Sequence, residues 1–313
     1  MSKYNSCYEA AKDNNLQELI KLHNSGYPLK FTCLSTAVKN NNIEMLDYLL
    51  RHDCPNDQSL TITIAVNNCT DILHYLVNNN LFGTGATQIE WHPDTTDFVI
   101  EYGKGDLTLL KYYINSGCPF SDHITEITSK YGYLDCLKYV VENGAYKHPN
   151  ALKYAIEYNQ KECFHYLLKQ KFVITSDITI TAASYGRIEL LKYLINVCKV
   201  EWYPSTTAYA AQSGNIEVLM YCLQNGCPNH SSTIYHLRQL DSERRLNLDF
   251  DNTEIRSFVF NLYYSHPELR TCYFGQRIKE EMDTIEMKKN SINKYISNYV
   301  CNDVIQYCIF NFI

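Results

Sequence analysis

Glycine and proline are scarce in this chain, at 12 and 8 of 313 residues. So few helix breakers favour extensive helix over a turn-rich fold. Long apolar runs are missing as well, and none approaches the roughly 20 residues that cross a bilayer. The opening Met1-Ser2-Lys3-Tyr4-Asn5-Ser6 lacks the apolar stretch of a secretory leader. A soluble, cytoplasmic protein without a membrane partner is therefore expected. An excess of basic charge is absent too. The net charge is -6, which disfavours nucleic acid as a partner, because phosphate binding needs a strongly basic face. What the chain does have is a 45% hydrophobic content, 27 tyrosines and 13 cysteines. An odd cysteine count without an export signal predicts free thiols rather than a disulfide framework.

The sequence repeats itself. A leucine column runs Leu19, Leu46, Leu73, Leu110, Leu137, Phe164, Leu191, Leu219, with a period of about 27 residues and one longer step after Leu73. A tyrosine column follows two residues later, at Tyr48, Tyr75, Tyr112, Tyr139, Tyr166, Tyr193 and Tyr221. In one unit Ile188, Leu191, Leu194 and Ile195 share a helical face. An acidic or polar residue such as Glu44, Asp71, Glu189 or Glu217 opens that helix, opposing the positive end of its dipole. The helix closes near Gly26, Asn80, Gly117, Gly144 or Gly226, residue types that accept a left-handed backbone. Cys-Pro follows in three units, at Cys54-Pro55, Cys118-Pro119 and Cys227-Pro228. A shorter helix precedes each of these. Its small-residue column reads Ala10, Ala37, Ala65, Ala155, Ala182 and Ala210, with Glu101 and Thr128 as exceptions. One helix pair cannot bury its apolar face alone, so the units are expected to stack.

The segment Ala210-Ala211-Gln212-Ser213-Gly214-Asn215-Ile216-Glu217-Val218-Leu219, followed by Asn225-Gly226-Cys227, resembles the ankyrin-repeat helix pair. Ala182-Ala183-Ser184-Tyr185-Gly186-Arg187-Ile188-Glu189 repeats it. The resemblance implies an all-α, ankyrin-type helix-pair solenoid of about eight short repeats over residues 1–230, with a helical C-terminal cap over 231–313. These repeats are shorter than the family's roughly 33 residues and lack its Thr-Pro-Leu-His opening, so a trimmed hairpin finger is expected. Short repeats ending in Gly-Cys-Pro resemble the mimivirus-like ankyrin proteins of giant DNA viruses. On that likeness the location would be the host cytoplasm.

Two places break the pattern. Residues 81–94 read as an inserted loop carrying Trp91, one of two tryptophans, expected to tuck back onto the stack or to bind. After Cys227-Pro228 the columns stop, and a polar, mixed-charge stretch that includes Arg238, Asp241, Arg244 and Asp249 precedes further helices.

No set of residues assembles a catalytic, cofactor or metal site at motif spacing. Cys222, Cys227, His230 and His236 are metal-ligand types, but their spacing is too tight for a finger, and Cys227 belongs to a column shared with Cys54 and Cys118. The acidic column puts each carboxylate on a separate helix, so no two face one pocket. Gly83-Thr84-Gly85-Ala86 is followed by no Gly-Lys-Ser and is not a phosphate loop. The ten histidines are scattered along the chain. The basic run at Lys288-Lys289 and Lys294 reads as a solvated helix face.

The chain is therefore expected to be a non-enzymatic scaffold that presents a repeat surface to a protein partner, without cofactor or metal. Packing occupies the columns, so specificity is expected where matched repeats vary. After the second helix those positions are Leu29, Asn56, Phe120, Lys147 and Asn229. On the first helix they are Lys39, Asn67, Lys130, Glu157, Ser184 and Gln212, with Trp91 added from the loop. An alternative is a substrate adaptor for ubiquitin ligation. Val300, Asp303, Val304, Cys308 and Ile309 resemble the degenerate F-box-like tail of poxvirus-type ankyrin proteins, which would imply a Skp1-type adaptor as partner. The same apolar helix could instead seal the end of the stack.

Overall fold

The computed structural model describes residues 3–83, 88–228, 230–242, 253–265, 270 and 273–299. Nineteen helices and no strand form among them, and one isolated bridge pairs Phe82 with Ile89. The fold is all-α, as the scarcity of breakers predicted. The chain divides into two compact units, Met1–Ile174 and Thr175–Ile313.

The first unit holds six helix pairs: α1 (Cys7–Lys12) with α2 (Leu16–Asn24), α3 (Phe31–Lys39) with α4 (Ile43–Arg51), α5 (Ser59–Val66) with α6 (Thr70–Asn78), α7 (Thr95–Tyr102) with α8 (Leu107–Asn115), α9 (Ile124–Tyr131) with α10 (Leu134–Glu142), and α11 (Ala151–Glu157) with α12 (Lys161–Lys169). Within this unit each first helix packs on the next, α1 on α3 and so on through α9 on α11. Second helices also touch, as α4 does α6 and α10 does α12.

Local chemistry sets each pair. The turn between its helices passes through a left-handed residue, at Asn14, Asn41, Asn68 and Asn159 with φ of 53°, 49°, 49° and 59°. Asparagine reaches that region more readily than most residues because its short amide bonds locally. The next residue caps the second helix, and Asn15 and Asn42 Oδ1 accept the amides of Glu18 and Met45 at 3.1 and 2.8 Å. The turn amide also bonds back to a first-helix carbonyl, Asn15 to Ala10, Asn42 to Ala37, Cys69 to Ile64, Gly105 to Ile100 and Gln160 to Ala155.

That recurring bond fixes the register and corrects the small-residue column at two places. Ile64, not Ala65, and Ile100, not Glu101, occupy it, and both isoleucines are fully buried. Adjacent apolar residues concealed the first shift. The second arises because the α7–α8 turn holds two left-handed residues, Lys104 and Gly105. Gly105 is required there, since its φ is +72° and a Cβ would run into the Tyr133 ring.

The leucine column is the core. Leu19, Leu46, Leu73, Leu110, Leu137 and Phe164 in this unit are completely buried. The tyrosine column is half-buried, with hydroxyls reaching the preceding second helix. Tyr48 bonds His23 at 2.8 Å, Tyr75 bonds Asp47 at 2.5 Å and Tyr112 bonds His74 at 2.8 Å.

The second unit contains α13 (Ile178–Ser184) with α14 (Ile188–Asn196), α15 (Thr206–Ser213) with α16 (Ile216–Gln224), then α17 (Thr233–Ser242), α18 (Thr253–Ser265) and α19 (Tyr273–Tyr299). Here Leu191 and Leu219 are completely buried. α13 packs on α15 and α15 on α17, so the row of first helices continues one helix beyond the sequence columns. α18 packs on α16, and α19 on α17 and α18.

A row of buried threonines ties neighbours together. Thr61 meets Thr95 at 2.9 Å, Thr179 meets Thr206 at 3.0 Å and Thr233 meets Thr207 at 3.2 Å. The same hydroxyls accept amides from the loop entering the next pair: His92 on Thr61, Tyr203 on Thr179 and His230 on Thr207. Thr125 accepts from His148 in the same way at 3.0 Å. Threonine suits this place because one hydroxyl both donates and accepts, satisfying loop groups that burial removes from water.

Candidate functional site

The packing leaves two ends of the first helices available for function. At the C-terminal ends of α7, α9 and α11 a charged residue precedes a tyrosine: Glu101-Tyr102, Lys130-Tyr131 and Glu157-Tyr158. The Tyr131 hydroxyl donates to Glu101 Oε1 at 2.7 Å. That bond, with some burial, pushes the hydroxyl pKa up to about 12. Lys130 Nζ lies 5.0 Å over the Tyr131 ring and 5.6 Å over the Tyr158 ring. Tyr131 also stacks on Tyr133. Tyr102 and Tyr158 remain 47% and 43% exposed. The result is a braced row of aromatic rings on three consecutive first helices of one unit.

The opposite ends carry titratable groups. Asp97 in the first turn of α7 takes a 2.7 Å bond from Ser121 Oγ, while its Oδ1 is buried with no hydrogen-bond partner. Burial pushes the Asp97 carboxyl up to about 6, reinforced by Asp94 and Glu126 and opposed by the Ser121 bond and His123. Glu126 Oε2 lies 2.7 Å from His148 Nδ1 and 3.7 Å from His123 Nδ1. Sequence spacing did not join these three residues. They meet because Thr125 holds the backbone of His148 beside the first turn of α9.

The residues expected to carry specificity fall in different settings. Lys39, Asn67 and Gln212 are exposed at first-helix ends, and the Asn67 amide donates to the Thr63 carbonyl. Lys130 and Glu157 belong to the aromatic row and are half-buried. Lys147 donates to the Gln170 carbonyl at 2.7 Å and lies over the Phe172 ring. Asn56 and Phe120 are half-buried, the latter edge-on to Tyr139. Trp91 stacks on Phe82 with centroids 4.0 Å apart and tilts toward Tyr113, so its ring faces are engaged by the chain itself. Asn229 and the tail from Val300 to Ile309 lie outside the described residues. The tyrosines of the aromatic row were missed, because they follow the varying positions rather than occupying them. Their spacing, 102, 131, 158, was visible in principle.

The ten described cysteines are unpaired, and all but Cys198 are buried. Burial pushes Cys54 up to about 12 and Cys136 and Cys163 up to about 11. Such thiols hold almost no thiolate at neutral pH. The Cys222 thiol is raised by its hydrogen bond to Cys227 and by burial.

No protein-family model matches the chain, and no curated protein sequence matches it. No described helix is long and apolar enough to cross a membrane.

Proposed function

We propose that the chain is an ankyrin-type repeat scaffold that binds a partner protein through the first-helix ends of its first unit. The braced row of Tyr102, Tyr131 and Tyr158 carries this reading. Tyrosines held in place by neighbours offer large amphipathic area at little entropic cost, the property that makes them frequent anchors of interfaces. Lys130, Glu101 and Glu157 between them supply polar contacts that select among partners. The stacking of helix pairs through neighbour contacts supports the family likeness, and the short loops between pairs agree with a trimmed finger. Framework residues are consumed by packing, which leaves these ends free to vary.

The test is capture of partners by the tagged full chain, with identification by mass spectrometry, in parallel with a Tyr102→Ala/Tyr158→Ala variant. Both side chains are exposed, so the variant's helical circular dichroism should match the parent. A saturable partner of the parent that the variant loses is the expected result. Partners retained equally by both would overturn the assignment of this face.

A further inference from the structure

We propose that His123, Glu126 and His148 form a binding site for one divalent transition-metal ion of the zinc class, clamping α9 to the loop that enters α11. Two imidazoles and a carboxylate are the ligand types such an ion takes, with a fourth position left for water. One ligand atom from each lies within 4.8 Å of the others. Around a tetrahedral ion with bonds of about 2.0–2.1 Å, ligand atoms stand roughly 3.3 Å apart. The Glu126 Oε2 edges to His148 and His123, 2.7 and 3.7 Å, bracket that value. The ligand atoms therefore already stand close to the spacing that a tetrahedral ion requires.

Hydrogen bonding shows what an ion would displace at this site. His148 Nδ1 lies 3.2 Å from the Asn150 amide, which needs a lone pair there. The same nitrogen lies 2.7 Å from the Glu126 carboxylate, which needs a proton or a cation. One nitrogen cannot meet both demands with a proton. A cation bound by Oε2 and the Nδ1 lone pair satisfies the carboxylate and displaces the Asn150 amide from that lone pair. The α9 dipole opposes a cation at this end. Glu126 in the first turn and the nearby Asp97, whose buried Oδ1 lacks a partner, counter that field. The site is also pre-positioned, since Thr125 Oγ1 fixes the His148 backbone next to Glu126.

The experiment is titration of the reduced full chain with Co2+, followed by displacement with Zn2+. Its readouts are the visible ligand-field bands, the near-ultraviolet thiolate charge-transfer band and calorimetric stoichiometry. One equivalent of Co2+ bound without a thiolate band is expected. Affinity should fall more than about 100-fold in His123→Ala and in Glu126→Gln, beyond what loss of an outer-shell partner costs. His123 is 53% exposed and Gln preserves the shape of Glu126, so both variants should keep the parent's circular dichroism. Absence of stoichiometric binding, binding unchanged in both variants, or a thiolate band accounting for all bound Co2+ would each overturn the proposal.

Discussion

Asp97→Asn should change how stability depends on pH, and the size of the change follows from the carboxyl's surroundings. Asp97 is held at about 6 in the folded chain, mainly by burial, against the ordinary 3.8. The folded state therefore keeps its proton where the unfolded chain has lost it. Between about pH 4 and pH 6 the native state binds more protons, so stability falls as pH rises through that window. Above it the full cost of burying the charge is present. The displacement from the ordinary value corresponds to roughly 3 kcal/mol, reduced to about 2 kcal/mol because the side chain retains some solvent. Asparagine keeps the acceptor for Ser121 and cannot ionise. Urea unfolding of both proteins, followed by circular dichroism across that window, measures the difference. The variant should gain about 2 kcal/mol on the parent from the acid end to neutrality. A gap that stays constant with pH would refute the reasoning, because the buried carboxyl would then contribute no linkage.

Other perturbations address the framework. Leu191→Ala removes a completely buried side chain and should cost about 2–5 kcal/mol, read from the denaturation midpoint; an unchanged midpoint would place the leucine column outside the core. Thr207→Val deletes the hydroxyl that takes the His230 amide and donates to the Pro228 carbonyl, both at 2.9 Å. Stranding those groups should cost about 1–3 kcal/mol, and a neutral effect would mean that water replaces the hydroxyl. Alkylation of the native protein with peptide mapping should label Cys198 ahead of the nine buried described cysteines. Early labelling of Cys54 or Cys118 would contradict their burial.

The sequence made the repeat legible because stacking demands the same residue type at the same place in every unit. Leu46, Leu73 and Leu191 are interchangeable solutions to one packing problem, and their period shows it. The left-handed closures at Gly26, Asn80, Gly117, Gly144 and Gly226 were legible for a similar reason, and all have positive φ. The register of the first helices was harder to read. Ile64-Ala65 offers two apolar candidates, and only the Cys69 amide bond to the Ile64 carbonyl distinguishes them. The threonine row escaped notice because only some units carry it: Thr61, Thr125, Thr179 and Thr207 each stand three residues before Ile64, Thr128, Ala182 and Ala210, while Cys7, Leu34 and Leu152 take that place in other units. α17 lay beyond the last column because the buried Leu237 stands there in place of a small residue, and Thr233 bonds Thr207 of α15.

Candidate sites are less legible than framework for a physical reason. A framework position answers to its own unit's neighbours and recurs, whereas a site joins residues that need appear once. His123 caps α9 three residues before Glu126, but His148 precedes the next pair and reaches them through a backbone bond to Thr125. Neither spacing nor composition encodes that bond. The same junction carries the aromatic row at its other end, since α9 ends in Lys130-Tyr131 and the chain leaves α11 through Glu157-Tyr158. A seven-residue helix such as α11 is only about 10 Å long, so whatever fixes α9 against α11 at the histidine end also fixes the spacing of the two tyrosines. The repeat thereby separates two demands along each first helix. The middle is given over to stacking and must stay constant. The ends face loop and solvent, where a substitution alters what is presented without disturbing the leucine core.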